Sequence, residues 1–115
     1  MAVYVPQEVM YRNQNNELVP KFNIDVAREH GEIKIVLPYG NVVLAPQPMI
    51  RKIKLALTEF SDDDFILPTG DPIAIGVVMS VASELNGGKL KILRWDRKTH
   101  GYNIVKMNLR GSHYE

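Results

Sequence analysis

The 115-residue sequence contains no cysteine. That excludes a disulfide framework, a thiolate metal site and a cysteine nucleophile, and it fits a reducing compartment. No uncharged apolar run approaches the roughly 18 residues that a membrane span requires. Met1 to Pro6 lacks the basic flank and long apolar core of a signal peptide. The expectation is a soluble chain, not exported, with no membrane partner. Neither G-x-G-x-x-G nor G-x-x-x-x-G-K-[ST] occurs, and Asn86-Gly87-Gly88-Lys89 matches only the end of such a loop. His30, His100 and His113 form no H-x-x-H or H-E-x-x-H pair, so surface histidines are expected. No Ser, His and acid stand together as a nucleophile context. Nothing implies a metal or a cofactor, no residue is assigned a catalytic role, and no internal repeat or low-complexity segment is visible.

What is present is an ordinary globular composition, 45% hydrophobic and 23% charged. A chain of this length forms one domain (1–115) with a single core, and gains from a partner that covers surplus apolar surface. The formal net charge of +1 hides an asymmetry. Residues 1–88 carry seven Lys or Arg against eleven Asp or Glu, a balance of −4. Residues 89–110 carry seven (Lys89, Lys91, Arg94, Arg97, Lys98, Lys106, Arg110) against Asp96 alone, a balance of +6. An acidic body with a basic final ribbon favours an anionic partner or head-to-tail contact between copies.

Along the chain, Val3 to Phe22 has sparse apolar residues on either side of Asn13-Gln14-Asn15-Asn16, the pattern of a β-hairpin or arm (1–31). Pro6 and Pro20 lack backbone donors and confine these segments to sheet edges or irregular extensions. Asp25 followed by Gly31 brackets one capped helical turn. The core (32–110) opens with Glu32 to Pro38, a strand covered on both faces, and an extended piece at Val42 to Ala45. Residues 49–60 then place Met49, Ile50, Ile53, Ala56, Leu57 and Phe60 on one helical stripe, with Leu55 alone among the polar positions. Phe65-Ile66-Leu67 is a short strand. Asp71 as N-cap, Pro72 at the first helical position and Gly87 past the end frame a second helix with one charge, expected to be covered nearly all round. Its narrow strip of small or polar residues (Gly76, Ser80, Ser83, Glu84) either admits another backbone or is the thin solvent face. Lys89 to Trp95 and Tyr102 to Leu109 complete the series as an antiparallel pair. The fold class is therefore α/β: a small two-layer or three-layer domain with a mixed sheet, in the order strand, helix, strand, helix, strand, strand, plus an N-terminal β arm. The first three core strands are expected to be parallel and the last antiparallel at an edge.

Two regions are candidate sites. Open α/β sheets bind ligands beyond the carboxyl ends of their strands, which selects Thr69-Gly70-Asp71, where Thr69 and Asp71 hold a polar ligand or Asp71 simply caps the helix. The other is the ribbon, where Lys89, Lys91, Arg94, Arg97 and Lys98 surround Trp95 and Tyr102 and join cations for phosphates to rings that stack on bases. A charged edge that blocks aggregation, with the rings as packing, is the alternative. Asp62, Asp63 and Asp64 form an acidic helix-to-strand turn, expected to be solvated, since adjacent residues seldom converge on one ion.

Phe60-Ser61-Asp62-Asp63-Asp64-Phe65-Ile66-Leu67-Pro68-Thr69-Gly70-Asp71-Pro72, the apolar helix after it, and Leu93-Arg94-Trp95-Asp96-Arg97 with Tyr102 give a resemblance over residues 32–109. The chain resembles small proteins of marine cyanophages and related tailed phages. That likeness implies a phage setting in the cytoplasm of an infected bacterium and supplies no activity and no catalytic residues. The reading is a non-enzymatic accessory or binding protein, self-associating, whose ribbon contacts nucleic acid or an acidic protein surface. A small-molecule enzyme or sensor at Thr69-Gly70-Asp71, and a structural subunit of a larger particle, are the alternatives.

Overall fold

The computed structural model describes residues 1–21 and 24–111. Phe22, placed in the arm by its sequence, and His113, read as a surface histidine, lie outside them. The strands are β1 (Ala2–Gln7), β2 (Met10–Arg12), β3 (Leu18–Pro20), β4 (Glu32–Leu37), β5 (Phe65–Ile66), β6 (Lys89–Asp96) and β7 (Gly101–Asn108); the α-helices are α1 (Pro46–Ala56) and α2 (Pro72–Leu85). Short 3₁₀ segments cover Ile24–His30 and Val42–Leu44. The main sheet has the order β4-β1-β5-β6-β7. β4, β1, β5 and β6 run parallel and β7 returns antiparallel at the edge. The core elements follow the expected order, and the fold is a mixed-sheet α/β domain.

The N-terminus departs from expectation. Residues 10–12 and 18–20 do form a hairpin, with Asn13 Oδ1 accepting from the Asn15 and Glu17 amides at 2.9 Å each and closing the turn. Residues 2–7 are no arm: β1 lies in the middle of the sheet, between β4 and β5, and every one of its residues is buried. Ala2-Val3-Tyr4-Val5 is the continuous apolar run of a strand covered on both faces. Pro6 is tolerated there because β5 has already stopped at Ile66. The Tyr4 carbonyl accepts from the Leu67 amide at 2.9 Å, and Leu67 O, the acceptor a regular ladder would offer residue 6, takes the Thr69 amide at 2.8 Å instead. The proline's missing donor thus removes no ladder bond.

Alternation along the strands divides the core in two. On one face Ala2, Tyr4, Ile66, Leu90 and Ile92 meet Met49, Ile53, Ala74, Val78 and Ala82 of the helices. α1 packs over β4 and α2, and α2 over β1 and β6. On the other face Val3, Val5, Phe65, Leu67 and Leu93 close around Ala27 from the first 3₁₀ segment. α1 begins at Pro46, earlier than its stripe suggested, and ends at Ala56. Leu57 and Phe60 continue the stripe from the turn that follows, and Phe60 packs edge-on against Tyr4 at 5.6 Å. Val42–Leu44 forms a 3₁₀ turn where an extended piece from Val42 to Ala45 was expected. α2 is buried along Ala74, Val78 and Ala82 only, while Ile73, Gly76, Ser80, Glu84 and Leu85 are exposed. Within the single chain, the helix is therefore half covered.

Candidate functional site

The carboxyl ends of the strands bring together Gln7, Pro38, Thr69 and Asp96. Connections diverge between β1, which leads to β4, and β5, which leads to β6, the place where such sheets take ligands. Here that place is filled. The Gln7 side chain, 5% exposed, donates through Nε2 to the carbonyls of Pro38 (3.1 Å) and Gly40 (2.8 Å), and its Oε1 accepts from the Asp71 amide at 2.9 Å. Thr69 Oγ1 donates to Gln7 O at 3.3 Å. Asp71 Oδ1 accepts from the Ile73 amide at 2.8 Å, which is the helix cap. Gly70 has φ +115°, and a Cβ there would collide with Gln7 Cβ. The corner's polar groups are occupied by one another. Gln7 itself lay in the segment read as an arm, and no sequence pattern pointed to it.

A cleft of about 830 Å³ opens beside this corner, where β5 stops short and β6 runs on. Leu67, Pro68, Ile92, Leu93, Val105 and Met107 wall it with apolar groups, joined by Thr69. Lys21, Arg94 and Arg97 supply its cations and Trp95 and Tyr102 its rings, and none of the described residues lining it is acidic. Trp95 and Tyr102 face each other across the ladder with ring centroids 5.1 Å apart, in edge-to-face contact. His100, at φ +54° in the turn, adds its ring to Trp95 at 6.3 Å. Burial raises the Tyr102 phenol above its ordinary pKa, so it remains a neutral donor across the physiological range. Asp96 organises the turn by accepting from the Lys98 amide at 2.9 Å and from Asn103 Nδ2 at 3.3 Å. Those bonds, the backbone one first, hold its carboxyl below the usual range.

The ribbon is thus not one surface. Arg94, Trp95, Arg97 and Tyr102 line the cleft, together with Thr69 from the other candidate region, with Arg94 on the helix face of β6 and the two rings on its opposite face, whereas Gly70 and Asp71 do not line it. Lys98 sits in the turn. Lys89 and Lys91 lie toward the opposite end of β6, where Lys91 is directly across from Lys106 and its Nζ stands 5.2 Å from the centre of the Phe65 ring. Lys89, Lys91 and Lys106 act with an Asn86 hydrogen bond (3.1 Å), the larger cause, to lower the pKa of Asp62.

The acidic triplet also separates. Asp64, expected in solvent with its neighbours, is 6% exposed and accepts from the amides of Ala2 and Ser61 at 2.8 Å each, tying β1 to the α1–β5 turn. Its carboxylate satisfies buried donors, which explains why an acid stands there. Among the described residues, no three His, Asp or Glu side chains converge as a metal site. No helix among them is long and apolar enough to cross a membrane.

The model of the phage Pam3 gp32-like protein family matches residues 1–109. The chain belongs to that family. The match includes β1 and the hairpin, which lie before residues 32–109 that carry the sequence resemblance. No curated protein and no solved structure matches the chain. The family makes this a phage protein.

Proposed function

We propose that this phage protein is a non-enzymatic accessory protein that binds single-stranded nucleic acid in the cleft between the β5 end and the β6–β7 ribbon. It would act in the cytoplasm of the infected bacterium, within the marine cyanophage group that residues 60–72 and 93–97 resemble. One observation carries the reading: apolar walls, two aromatic rings and the cations of Arg94 and Arg97 share one cleft whose described lining holds no acid. Phosphates attract such cations and release their own counterions, while bases of any sequence stack on exposed rings. Trp95, at 38% exposure, retains ring surface for that contact. A single strand suits the geometry better than a duplex, because the rings face a cleft and not a flat or convex surface.

The test is fluorescence anisotropy with a labelled oligothymidylate across a salt series. Binding at low salt is expected to weaken steeply as salt rises. Arg94→Ala with Arg97→Ala should flatten the log–log slope by about 1.4, at roughly 0.7 per phosphate contact on a single strand. Trp95→Ala should cost about 1–3 kcal/mol with the slope unchanged. Absence of binding at low salt, or a slope untouched by the double substitution, overturns the proposal. The cleft volume also falls in the range of small-molecule sites, roughly 300–1,000 Å³. A mononucleotide that binds as tightly as the oligomer would favour the second reading, a small-molecule sensor that uses Thr69 at the same place.

A further inference from the structure

Among the described residues, no strand pairs with the outer edge of β7. Eight residues, Gly101–Asn108, run in unbroken register with β6, without proline or bulge. Every residue from Asn103 to Leu109 is exposed, including Ile104, Val105, Met107 and Leu109. The Leu109 amide bonds Gly88 O at 2.8 Å, and Gly88 lies opposite Leu109 when the β6–β7 register is extended by one pair. Odd-numbered β7 residues therefore bond to β6, and the backbone N–H and C=O groups of Tyr102, Ile104, Lys106 and Asn108 point to the open side. Long apolar edges of this kind are normally blunted by proline, charge or a covering loop. Among the eight residues, Lys106 is the one charge.

We infer that a second copy of this chain pairs antiparallel along this edge, about a two-fold axis at Val105, to form a continuous ten-stranded sheet across two copies. Antiparallel self-pairing must set residues of the same face opposite each other. Two axis positions keep seven residues paired, Ile104 and Val105. An axis at Lys106 is shorter and sets like charges face to face. An axis at Ile104 extends to bring Arg110 opposite Lys98. The axis at Val105 sets two β-branched side chains together on the helix side, Lys106 over Ile104, and Met107 beside Asn103 of the second copy. The basic ribbon does not forbid this contact: at about 4.8 Å per strand the two β6 strands stand about 14 Å apart, beyond the screening length of about 8 Å at physiological salt. The two Lys106 side chains, the nearest cations on the paired strands, stand on a diagonal, each opposite Ile104 and not opposite the other. Val105 and Met107 also wall the cleft, so the second copy would border it. The pairing does not depend on what the cleft holds.

The absence of cysteine makes the test clean. Light scattering of the nuclease-treated protein should give twice the 13.1 kDa monomer mass at high micromolar concentration. Val105→Cys should cross-link to itself under mild oxidation, because directly opposed residues in a non-hydrogen-bonded pair stand about 4.5 Å apart, inside the disulfide range. Met107→Cys, four positions from its own copy across this axis, should not. Ile104→Pro removes an outward donor without touching the β6 ladder and should give a folded monomer, as should Val105→Lys if the proline variant fails to fold. A strict monomer at all concentrations, a dimer that survives both edge variants, or cross-linking at Met107→Cys and not at Val105→Cys overturns the inference.

Discussion

Gln7 shows how one side chain decides what the rim of this sheet can do. Its amide supplies two donors and one acceptor to three backbone groups on two loops, with little exposure to water, and so occupies the place where related architectures admit a ligand. Gln7→Ala leaves those groups partly unpaired and should lower unfolding free energy by about 2–4 kcal/mol in urea titration, since buried unsatisfied groups cost about 1–3 kcal/mol each. Gln7→Glu should also destabilise, because a carboxylate still accepts from Asp71 but cannot donate to Pro38 and Gly40. A loss below about 0.5 kcal/mol in both variants would show that water replaces the side chain at no cost. None of this was legible in the sequence. A glutamine in a polar-looking stretch carries no periodic signal, and its three partners stand between 31 and 64 residues away. Asp71, by contrast, announced its role, because a cap acts on the amide two residues later.

At the scale of elements, α2 separates what periodicity can and cannot decide. Its boundaries were readable from Asp71, Pro72 and Gly87, and the helix runs between them as expected. Its exposure was only half readable: the strip of Gly76, Ser80 and Glu84 does turn outward, with Ser83 partly covered, but the apolar groups on the remaining sides offer no contrast by which to choose the buried face. The structure chooses the side of Ala74, Val78 and Ala82, which lie against the sheet. Ala82→Leu, which forces extra methylenes into that contact, should cost about 1–3 kcal/mol. Gly76 faces open space, where an added methyl group would meet nothing within 4 Å. Gly76→Ala should therefore stabilise the chain by about 0.5–1 kcal/mol in thermal or urea unfolding. Destabilisation by Gly76→Ala at high protein concentration, with stabilisation at low concentration, would reveal a second copy seated on the strip.

For the whole molecule, the order of strands matters more than their identity. β1 bonds to β4 on one side and β5 on the other, and Asp64 fixes its start to the turn before β5. A chain that begins after Gln7 loses the strand that joins the two halves of the sheet and should show no cooperative thermal transition by circular dichroism; a native-like melt would contradict the central place of β1. The sequence by itself determined the local events: the core series from β4 to β7, the antiparallel return, the α2 cap, and the basic character of the last ribbon. These are set by near neighbours, through periodicity, turn residues and charge. Tertiary structure alone decided that residues 2–7 enter the middle of the sheet, that Asp64 is buried, and that only Arg94, Trp95, Arg97 and Tyr102 of the ribbon's candidate residues line one cleft with Thr69. Those outcomes depend on pairings between segments far apart in the chain, and the early end of β5 creates both the room for Pro6 and the cleft beside it.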